Sequence, residues 1–369
     1  MREQNYGVIR AGAGHAVLKA TPFPKLRDNY TLVRTVAVAL NPTDWTTLEA
    51  KGDVGTLVGC DYAGIVVEVG EAVVKSFKQG DRVAGFGHGA NDANPETGAF
   101  ARFIAVQGDL QMHIPDHVSF ESAATAAVGV CTTGYALYKV LGLPWPIPTP
   151  STTNEPFLIY GGSTSTGSIA IQIAKLSRYK VFTTCSPQHF DVVKGRGADM
   201  VYDYVSVMPT TQIPNTDDVQ HEPNIGTQIR KDTGNALNKV LDTVSVESTA
   251  AICALAFGDK GGLYCNLLGA ECIRSDVKSE FFLGYSMSGE EYIFEGDTYP
   301  AQSEDRKFGL RWMEVAEKLW AEGKWKCHPE LVNGGGLLGA IEGMRAMKNG
   351  SRPSGVKWVY RVDETEWPL

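Results

Sequence analysis

The residues best suited to bind a ligand form a short polar turn between an apolar segment and a helical pattern. Phe157–Tyr160 is an apolar run typical of a buried strand, and Gly161 and Gly162 after it permit a tight turn. Gly167 lets a following helix pack closely on the sheet. Four residues between these glycines carry hydroxyl groups: Ser163, Thr164, Ser165 and Thr166. Because hydroxyl and backbone N–H groups at a helix N-terminus favour a pyrophosphate, the turn predicts a phosphate-binding site.

This turn also has a purely structural interpretation, since it is not a strict G-x-G-x-x-G. The order strand, helix, strand over residues 155–187 favours a dinucleotide site instead. A carboxylate about 20 residues beyond the turn would bind the ribose of NAD, and none follows the second strand, Val181–Thr184. That strand is followed by Cys185, Ser186, Pro187, Gln188 and His189. Since hydroxyl and imidazole groups tolerate a 2′-phosphate, the sequence predicts NADPH, although His189 is equally compatible with a surface position after a turn.

Composition and charge exclude several classes of protein. The chain has 369 residues, 43% hydrophobic and 21% charged, which is ordinary for a globular protein, and this length predicts two domains. A net charge of −8 without a Lys/Arg stripe argues against nucleic-acid binding. No apolar run approaches the roughly 20 residues of a membrane span, and the N-terminal sequence lacks a signal-peptide pattern, so we expect a cytoplasmic protein. The seven cysteines contain no C-x2-C pair, which favours free buried thiols.

The chain changes character near residue 125. Before it, short strands at Thr31–Leu40, Ala63–Gly70 and Ala99–Val106 predict a small β-barrel. Ser119 is placed to cap a helix that runs as far as Leu141.

From residue 155 to about 270, strands alternate with helices, which predicts a doubly wound parallel sheet. Ligands of such sheets bind beyond the carboxyl ends of the strands. The glycine turn, the segment Cys185–His189, Tyr204 and Leu267 all fall at such ends. Elsewhere we predict a surface excursion at Pro209–Pro223, helices at Phe308–Glu322 and Leu337–Lys348, and a terminal strand over residues 354–362.

Several further motifs occur in a fixed order along the chain. They are Asn41-Pro42-Thr43-Asp44, Gly59-Cys60-Asp61-Tyr62-Ala63-Gly64, Gly80-Asp81-Arg82-Val83, Tyr202-Asp203-Tyr204 and Ser354-Gly355-Val356-Lys357-Trp358-Val359. Together with the glycine turn, this order resembles the medium-chain dehydrogenase/reductase superfamily over nearly the whole chain. Within it, the turn, the Cys-Ser-Pro strand end, Asp203-Tyr204 and the insert around residues 284–300 resemble the fungal trans-acting enoyl reductases that assist polyketide synthases of the lovastatin type.

The resemblance implies an α/β fold with a GroES-like β-barrel catalytic domain and an inserted doubly wound (Rossmann) dinucleotide-binding domain. The barrel domain would comprise residues 1–128 and 290–369, the Rossmann domain residues 129–289, and the cofactor would lie in the cleft between them. The implied activity is an NADPH-dependent enoyl reductase. Its substrate would be a chain bound to the carrier protein of a polyketide synthase or PKS-NRPS, and the protein would be a monomer rather than a dimer.

The resemblance also assigns individual residues. The pyrophosphate would be held by Ser163, Thr164, Ser165 and Thr166, and the 2′-phosphate by Ser186, Pro187, Gln188, His189 and Tyr204. The nicotinamide side would be flanked by Thr43, Asp44, Trp45, Thr46, Leu267, Leu268, Val356 and Lys357. The substrate channel would be lined by Thr133, Gly134, Tyr135, Tyr138, Leu283, Gly284, Tyr285, Ser286 and Met287.

Zinc-dependent members of the superfamily carry a Gly-His-Glu motif and a four-cysteine lobe. Here Gly59-Cys60-Asp61 stands at the position of that motif and no lobe occurs, so we expect no metal site. Hydride addition to the β-carbon of an unsaturated thioester then requires a donor near the carbonyl oxygen and a proton for the α-carbon. The proton donor stays unassigned, because relatives often have a lysine where this chain has Thr46, and a threonine is no cationic acid.

Some assignments stay open at this point. Thr133 and Tyr135 are candidates for polarising the carbonyl, although packing or backbone hydrogen bonding is the more frequent role of such residues. Asp44 is expected to organise its loop by accepting hydrogen bonds from backbone N–H groups. Two other functions remain compatible with the sequence: a free-standing quinone or alkenal reductase, and an NADPH-binding accessory of a synthase that has lost turnover.

Overall fold

A computed structural model describes residues 4–50, 52–148, 153–204, 225–351 and 354–368 of the chain. The chain divides into two compact units, one formed by Met1–Cys131 with Gly284–Leu369 and the other by Thr132–Leu283. Residues 129–131 and 284–289, which we predicted to belong with the dinucleotide domain, fall in the first unit. For the segment 284–289 the reason is packing, since Met287 is fully buried and lies against Gly309 of the same unit. The prediction Pro209–Pro223 lies outside the described residues.

The elements are as follows in chain order. The strands are β1 (Asn5–Gly12), β2 (His15–Thr21), β3 (Tyr30–Ala39), β4 (Asp61–Val69), β5 (Arg82–Phe86), β6 (Phe103–Gln107), β7 (Met112–His113), β8 (Pro156–Tyr160), β9 (Lys180–Cys185), β10 (Met200–Asp203), β11 (Lys239–Asp242), β12 (Gly262–Asn266), β13 (Val277–Phe281), β14 (Tyr292–Phe294), β15 (Asp297–Tyr299), β16 (Glu330–Asn333) and β17 (Lys357–Arg361). The α-helices are α1 (Pro42–Glu49), α2 (Phe120–Ala123), α3 (Ala127–Gly134), α4 (Ser165–Leu176), α5 (Phe190–Gly195), α6 (Ile225–Asp232), α7 (Glu247–Ala256), α8 (Ser303–Ala321) and α9 (Gly336–Lys348).

The first unit is built on a seven-stranded sheet in the order β16-β17-β3-β4-β5-β7, with β6 also paired to β3. The long strand β3 organises it, because Tyr30–Arg34 pair with β6 and Ala37–Ala39 pair with β17. The close approach of β3 and β4 requires a glycine, since a Cβ at Gly64 would lie 2.4 Å from the Arg34 carbonyl oxygen. The late strands β16 and β17 therefore lie in the same sheet as the early strands β3–β7.

The core of the first unit consists of aliphatic and aromatic side chains from these strands and from α9. Val33, Val66, Val83 and Ile104 are at most 1% exposed. Burying an aliphatic side chain of this size contributes about 1.5–3 kcal/mol relative to leaving it in water. The apolar residues by which we recognised these strands in the sequence are thus residues of this core.

The second unit contains a six-stranded parallel sheet in the order β10-β9-β8-β11-β12-β13. The prediction of a doubly wound parallel sheet is confirmed. The strand order reverses between β8 and β11, which is where such sheets bind ligands at the strand carboxyl ends. The glycine turn follows β8 and therefore lies at this point.

Three predictions of local structure were wrong. The helix expected from Ser119 to Leu141 is divided into α2, α3 and a π-helical segment, Tyr135–Val140. Ser119 does cap the first piece, with its Oγ 3.0 Å from the Ser122 amide, but the Thr125 hydroxyl lies 2.8 Å from the carbonyls of Ser122 and His328 and so competes with the helical pattern. The strand expected at Ala99–Val106 begins at residue 103, because residues before it hydrogen-bond to β1 and to Val58 instead.

The Asn-Pro-x-Asp motif, which we interpreted as a loop, forms the start of α1 instead. Proline is favoured in the first turn of a helix because its missing N–H needs no partner there. In a separate observation, none of the helices in the described ranges combines the length and apolarity that crossing a bilayer requires.

Candidate functional site

The glycine turn after β8 is held by hydrogen bonds from the neighbouring strand. Gly161 has a φ of 84°, a left-handed conformation that favours glycine. Its amide donates to the Thr184 hydroxyl at 3.0 Å, and the Gly162 amide donates to the Thr184 carbonyl at 2.9 Å. Thr184 thus fixes the turn at the end of β9, a role that the sequence analysis did not foresee.

The start of α4 is packed directly onto this turn. A Cβ at Gly167 would lie 2.2 Å from the Gly161 carbonyl oxygen, so only glycine permits this approach. Thr164 caps the helix, since its hydroxyl accepts the Gly167 amide at 3.0 Å. The Thr164 hydroxyl also lies 2.9 Å from that of Thr243, which donates to the Tyr160 carbonyl at the end of β8. Hydrogen bonds and close packing therefore connect the ends of β8, β9 and β11 to the start of α4.

This geometry fits a bound pyrophosphate. The twelve-residue helix α4 begins at Ser165, so its first amides and its dipole point toward the turn. The Ser165 hydroxyl oxygen is buried and has no hydrogen-bond partner in the part of the chain that the structure describes. Ser163 and Thr166 are half-buried beside it. A polar group without a partner at a helix N-terminus is what a phosphate oxygen would satisfy.

At the ends of β9 and β10, the predicted 2′-phosphate residues form two pairs. The Ser186 hydroxyl lies 3.1 Å from the Tyr204 hydroxyl, because the two strands run in parallel and end side by side. The Gln188 amide nitrogen lies 3.2 Å from Nε2 of His189. Pro187 is exposed and begins a short 3-10 turn. The four polar side chains of these pairs therefore offer hydrogen-bond donors and acceptors just beyond the carboxyl ends of β9 and β10.

The segment with Leu267 and Leu268 is positioned by a buried carboxylate. Asp242 accepts hydrogen bonds from the Val244 and Ser245 amides and from the hydroxyls of Thr249 and Tyr264: the distances lie between 2.6 and 2.9 Å. Ser245, with a φ of 60°, in turn accepts the Leu267 amide at 2.7 Å. Leu268 is 68% exposed. Sequence reasoning missed this network, whose signal was the Asp-Thr-x-Ser run that starts at the last residue of β11.

The residues predicted along the substrate channel in the second unit are largely buried. The Thr133 hydroxyl donates to the Thr166 carbonyl at 3.4 Å, in agreement with the structural alternative considered for it. The Tyr135 ring stacks on Phe282 with centroids 4.6 Å apart, and the Tyr138 hydroxyl lies 2.9 Å from that of Ser177. Gly134 is buried, and Leu283 is half-buried.

In the first unit, Asp44 stabilises the start of α1. Its Oδ2 accepts the Asn41 amide at 2.6 Å, as we expected for this motif. The other oxygen is buried without a hydrogen-bond partner of ordinary geometry among the described residues, and the Cys60 thiol is its polar neighbour. Burial raises the pKa of Asp44 to about 7, and the nearby Asp61 adds to this shift while the Asn41 amide, Cys60 and Lys357 oppose it.

A buried ion pair lies beside this carboxyl group. Lys357 Nζ contacts the Asp61 carboxylate and lies 2.9 Å from Asn41 Oδ1, and Asn41 Nδ2 donates to Asp61 at 2.9 Å. The second Asp61 oxygen accepts the Val128 amide at 2.8 Å. Both side chains of the ion pair are at most 5% exposed. The Lys357 ammonium is therefore engaged within the protein, which the sequence analysis did not predict.

Tyr285 links the start of α1 to the segment predicted to line the substrate channel. Its hydroxyl lies 2.9 Å from the Thr43 hydroxyl and 3.6 Å from the Cys60 sulfur. Its ring stacks on His88 with centroids 3.7 Å apart and an interplanar angle of 7°. Burial raises the pKa of Tyr285 well above its usual range, and it lowers the pKa of His88 to about 3.

The remaining predicted residues vary in exposure. Trp45 packs against the core of the first unit, and the Thr46 hydroxyl donates to the Thr43 carbonyl of its own helix at 3.4 Å. Val356 is half-buried, as is Gly284, whose carbonyl accepts the Cys131 thiol at 3.8 Å. Ser286 and Met287 are buried.

In the described ranges, no three His, Cys, Asp or Glu side chains converge in a way that could hold a metal ion.

The sequence as a whole is similar to fungal reductases. It is 40% identical over 368 residues to the trans-enoyl reductase resD of Aspergillus sclerotiorum, covering 96% of this chain and 99% of the relative. It is 47% identical over 291 residues to the trans-enoyl reductase TOXD of Cochliobolus carbonum, covering 78% of this chain and 92% of the relative. The chain belongs to the trans-enoyl reductases. The resemblance stated from the motifs is confirmed.

Other comparisons confirm the fold of this trans-enoyl reductase. Residues 27–116 match the alcohol dehydrogenase GroES-like domain. An alcohol dehydrogenase superfamily protein from Novosphingobium aromaticivorans superposes with a TM-score of 0.75 at 20% identity, covering 97% of this chain and 99% of that one. The CurK enoyl reductase superposes with a TM-score of 0.71 at 18% identity, with the same coverage. The fold class, GroES-like plus Rossmann, is that of the medium-chain dehydrogenase/reductase superfamily.

Proposed function

We propose that this trans-enoyl reductase uses NADPH, without zinc, to reduce the α,β-double bond of a polyketide intermediate bound to a carrier protein. The proposal rests on one observation above others: in a chain of this family, the glycine turn holds a buried Ser165 hydroxyl that has no hydrogen-bond partner among the described residues. The preference for NADPH is supported by the Ser186–Tyr204 hydroxyl pair at the ends of β9 and β10. A hydroxyl pair donates to a phosphate, whereas a carboxylate there would repel it.

NADPH, when bound, supplies a hydride to the β-carbon of the unsaturated thioester. The protein contributes position and electrostatics. Ser163–Thr166 and the first amides of α4 hold the pyrophosphate, and Ser186, Pro187, Gln188, His189 and Tyr204 surround the 2′-phosphate. The nicotinamide side is bordered by the residues of α1 and by Leu267 and Leu268, which Ser245 holds in place. Because the Lys357 ammonium is engaged by Asp61, the contribution of Val356 and Lys357 comes from their backbone.

The partner is a polyketide synthase or PKS-NRPS, and the reductase acts as a monomer that the carrier protein visits. The names of the relatives support a partner of this kind, since they are trans-acting enzymes. The residues Thr133, Gly134, Tyr135, Tyr138 and those of the segment 283–287 are proposed to border the acyl chain.

The experiment combines purified protein, NADPH and a pantetheine thioester of an α,β-unsaturated acid. We expect the saturated thioester, with kcat/KM for NADPH at least about tenfold above that for NADH, because charge-assisted hydrogen bonds to the 2′-phosphate contribute about 1.5–3 kcal/mol. A simple quinone and a simple alkenal, assayed in parallel, should be poorer substrates. Efficient quinone reduction with no turnover of any thioester would contradict the proposal.

A further inference from the structure

The hydroxyl pair Thr43–Tyr285 joins two segments that serve different parts of the proposed reaction. Thr43 belongs to α1, assigned to the nicotinamide side, and Tyr285 belongs to the segment assigned to the substrate. We propose that the Tyr285 hydroxyl donates the proton to the α-carbon of the substrate, with Thr43 holding it in place. This inference rests on the proposed enoyl reduction and names the residue that completes it.

Tyr285 has the chemical properties of such a donor. The phenol carries its proton at neutral pH, because the ordinary pKa of tyrosine is about 10 and burial raises the pKa of Tyr285 further. The ring is fixed by parallel stacking on His88, and the rings of Tyr292 and Phe294 lie with centroids within 6.0 Å. A donor with a fixed ring delivers its proton to one face of a planar carbon.

The partners of the hydroxyl leave its proton available. When the Thr43 hydroxyl donates to the Tyr285 oxygen, the phenolic proton is not used in that hydrogen bond. The other neighbour, the Cys60 sulfur at 3.6 Å, is a weak acceptor. Thr43 would then also stabilise the phenolate that forms when the proton leaves.

The hydride adds to the β-carbon and brings two electrons, and the C=C π electrons form the new C–H bond at the α-carbon. The O–H bond of Tyr285 breaks and its proton becomes the second hydrogen added. The phenolate regains a proton from water, and Asp44, which lies beyond Cys60, is a nearby carboxyl group that holds a proton near neutral pH.

Other candidates in the described structure are less suitable. The Thr133 hydroxyl is bonded to a backbone carbonyl, and the Lys357 ammonium is bonded to Asp61 and Asn41. Thr46 replaces the lysine of relatives and bonds within its own helix. Tyr285 is therefore the acid that compensates for the missing lysine.

The test is Tyr285→Phe, assayed with an α-methyl-α,β-unsaturated pantetheine thioester. We expect kcat to fall by about 100-fold or more, since general acids typically contribute 10²–10⁴. The wild-type product should have one configuration at the α-carbon, and the variant product should be a mixture because water then delivers the proton. Calorimetry with the cofactor-free protein should give the same affinity for the saturated thioester in both forms, because the acid acts only in the transition state.

Tyr292→Phe is the matched control, because Tyr292 lies in the same aromatic cluster and, within the described part of the chain, its hydroxyl makes none of these contacts. It should keep both the rate and the configuration of the product, and Thr43→Val should slow turnover while it retains partial selectivity. If Tyr285→Phe keeps the rate and a single configuration, the donor assignment is wrong while the reductase function stands. If wild-type protein forms no saturated thioester, the proposed function itself fails. A Tyr285→Phe protein that loses thioester affinity together with activity would show a packing role and also overturn the assignment.

Discussion

At the scale of single residues, Asp44 combines two properties that oppose each other. Its Oδ2 oxygen caps α1 through the Asn41 amide, which favours the ionised carboxylate. Its burial disfavours the charge more strongly, so that the pKa rises to about 7 from an ordinary value of 3.8. Asp61, which is close by, adds repulsion, and Cys60 and Lys357 lower the pKa again without overcoming the burial. The protein therefore takes up a proton at Asp44 on folding over part of the acidic pH range.

This shift predicts a pH-dependent effect of Asp44→Asn. Below about pH 4 the carboxyl is protonated in both folded and unfolded chains, whereas between about pH 4 and pH 7 only the folded chain keeps the proton, so the stability that Asp44 contributes falls as pH rises. Relative to wild type, Asp44→Asn should therefore gain about 2–4 kcal/mol in the free energy of unfolding between pH 4.5 and pH 8. Urea unfolding at the two pH values measures it. The exposed Asp53→Asn should show no such gain, and an equal difference in both variants would contradict the assignment.

At the scale of elements, the sequence indicated the turn between β8 and α4 well, because its determinants are local. Two glycines, a capping threonine and a buried strand occur within a dozen residues, and each predicts the same turn. The contacts that other strands make with this turn were harder to predict. Thr184 holds the turn from β9, and Thr243 holds it from β11, and neither contact follows from a pattern within one element. Parallel neighbours in a sheet are brought together by crossovers, so their side-chain contacts are long-range.

The tight packing of α4 predicts the effect of Gly167→Ala. A methyl group there would lie 2.2 Å from the Gly161 carbonyl oxygen, which is backbone and cannot move aside easily. The helix start must shift away from the turn, and we expect the affinity for NADP⁺ to fall by about tenfold or more, since this amide cradle binds the phosphates. Calorimetric titration with NADP⁺ measures it. Gly195→Ala is the control, because nothing lies within 4 Å of that position, and an unchanged affinity in Gly167→Ala would disprove the proposed cradle.

At the scale of the whole molecule, the first unit is assembled from the two ends of the chain. β17 inserts beside β3, and the Lys357–Asp61 ion pair joins residues that are 296 positions apart. Removing two charges from water is costly, and the pair is satisfied only because Asn41 and the Val128 amide complete its hydrogen bonds. The ion pair therefore favours the specific position of β17 beside β3.

This arrangement predicts a strong effect of Lys357→Met. The variant leaves the Asp61 charge buried without its partner, which should cost about 3–5 kcal/mol of the free energy of unfolding. The double variant Lys357→Met with Asp61→Asn should recover more than half of that loss, because no buried charge remains. Urea unfolding followed by circular dichroism measures both.

Lys348→Met removes a comparable pair at the surface, Lys348 with Glu49, whose side chains are 45% and 34% exposed. This control should cost less than about 1 kcal/mol. Equal losses for Lys357→Met and Lys348→Met would contradict the importance of the buried pair.

The amino-acid sequence was sufficient for the features whose causes are local in the chain. The glycine turn, the parallel α/β alternation and the family motifs each depend on residues within one or two elements, and the fold and family they predict are confirmed. The proton-donor candidate and the buried ion pair were not predictable in this way. Tyr285 reaches Thr43 across 242 positions, and Lys357 reaches Asn41 across 316, so their roles depend on strands and turns that meet only after folding. The residue type determines which chemical reactions a side chain is capable of. Its protonation state and its hydrogen-bond partners depend on burial and on neighbouring groups, and both are set by the tertiary structure.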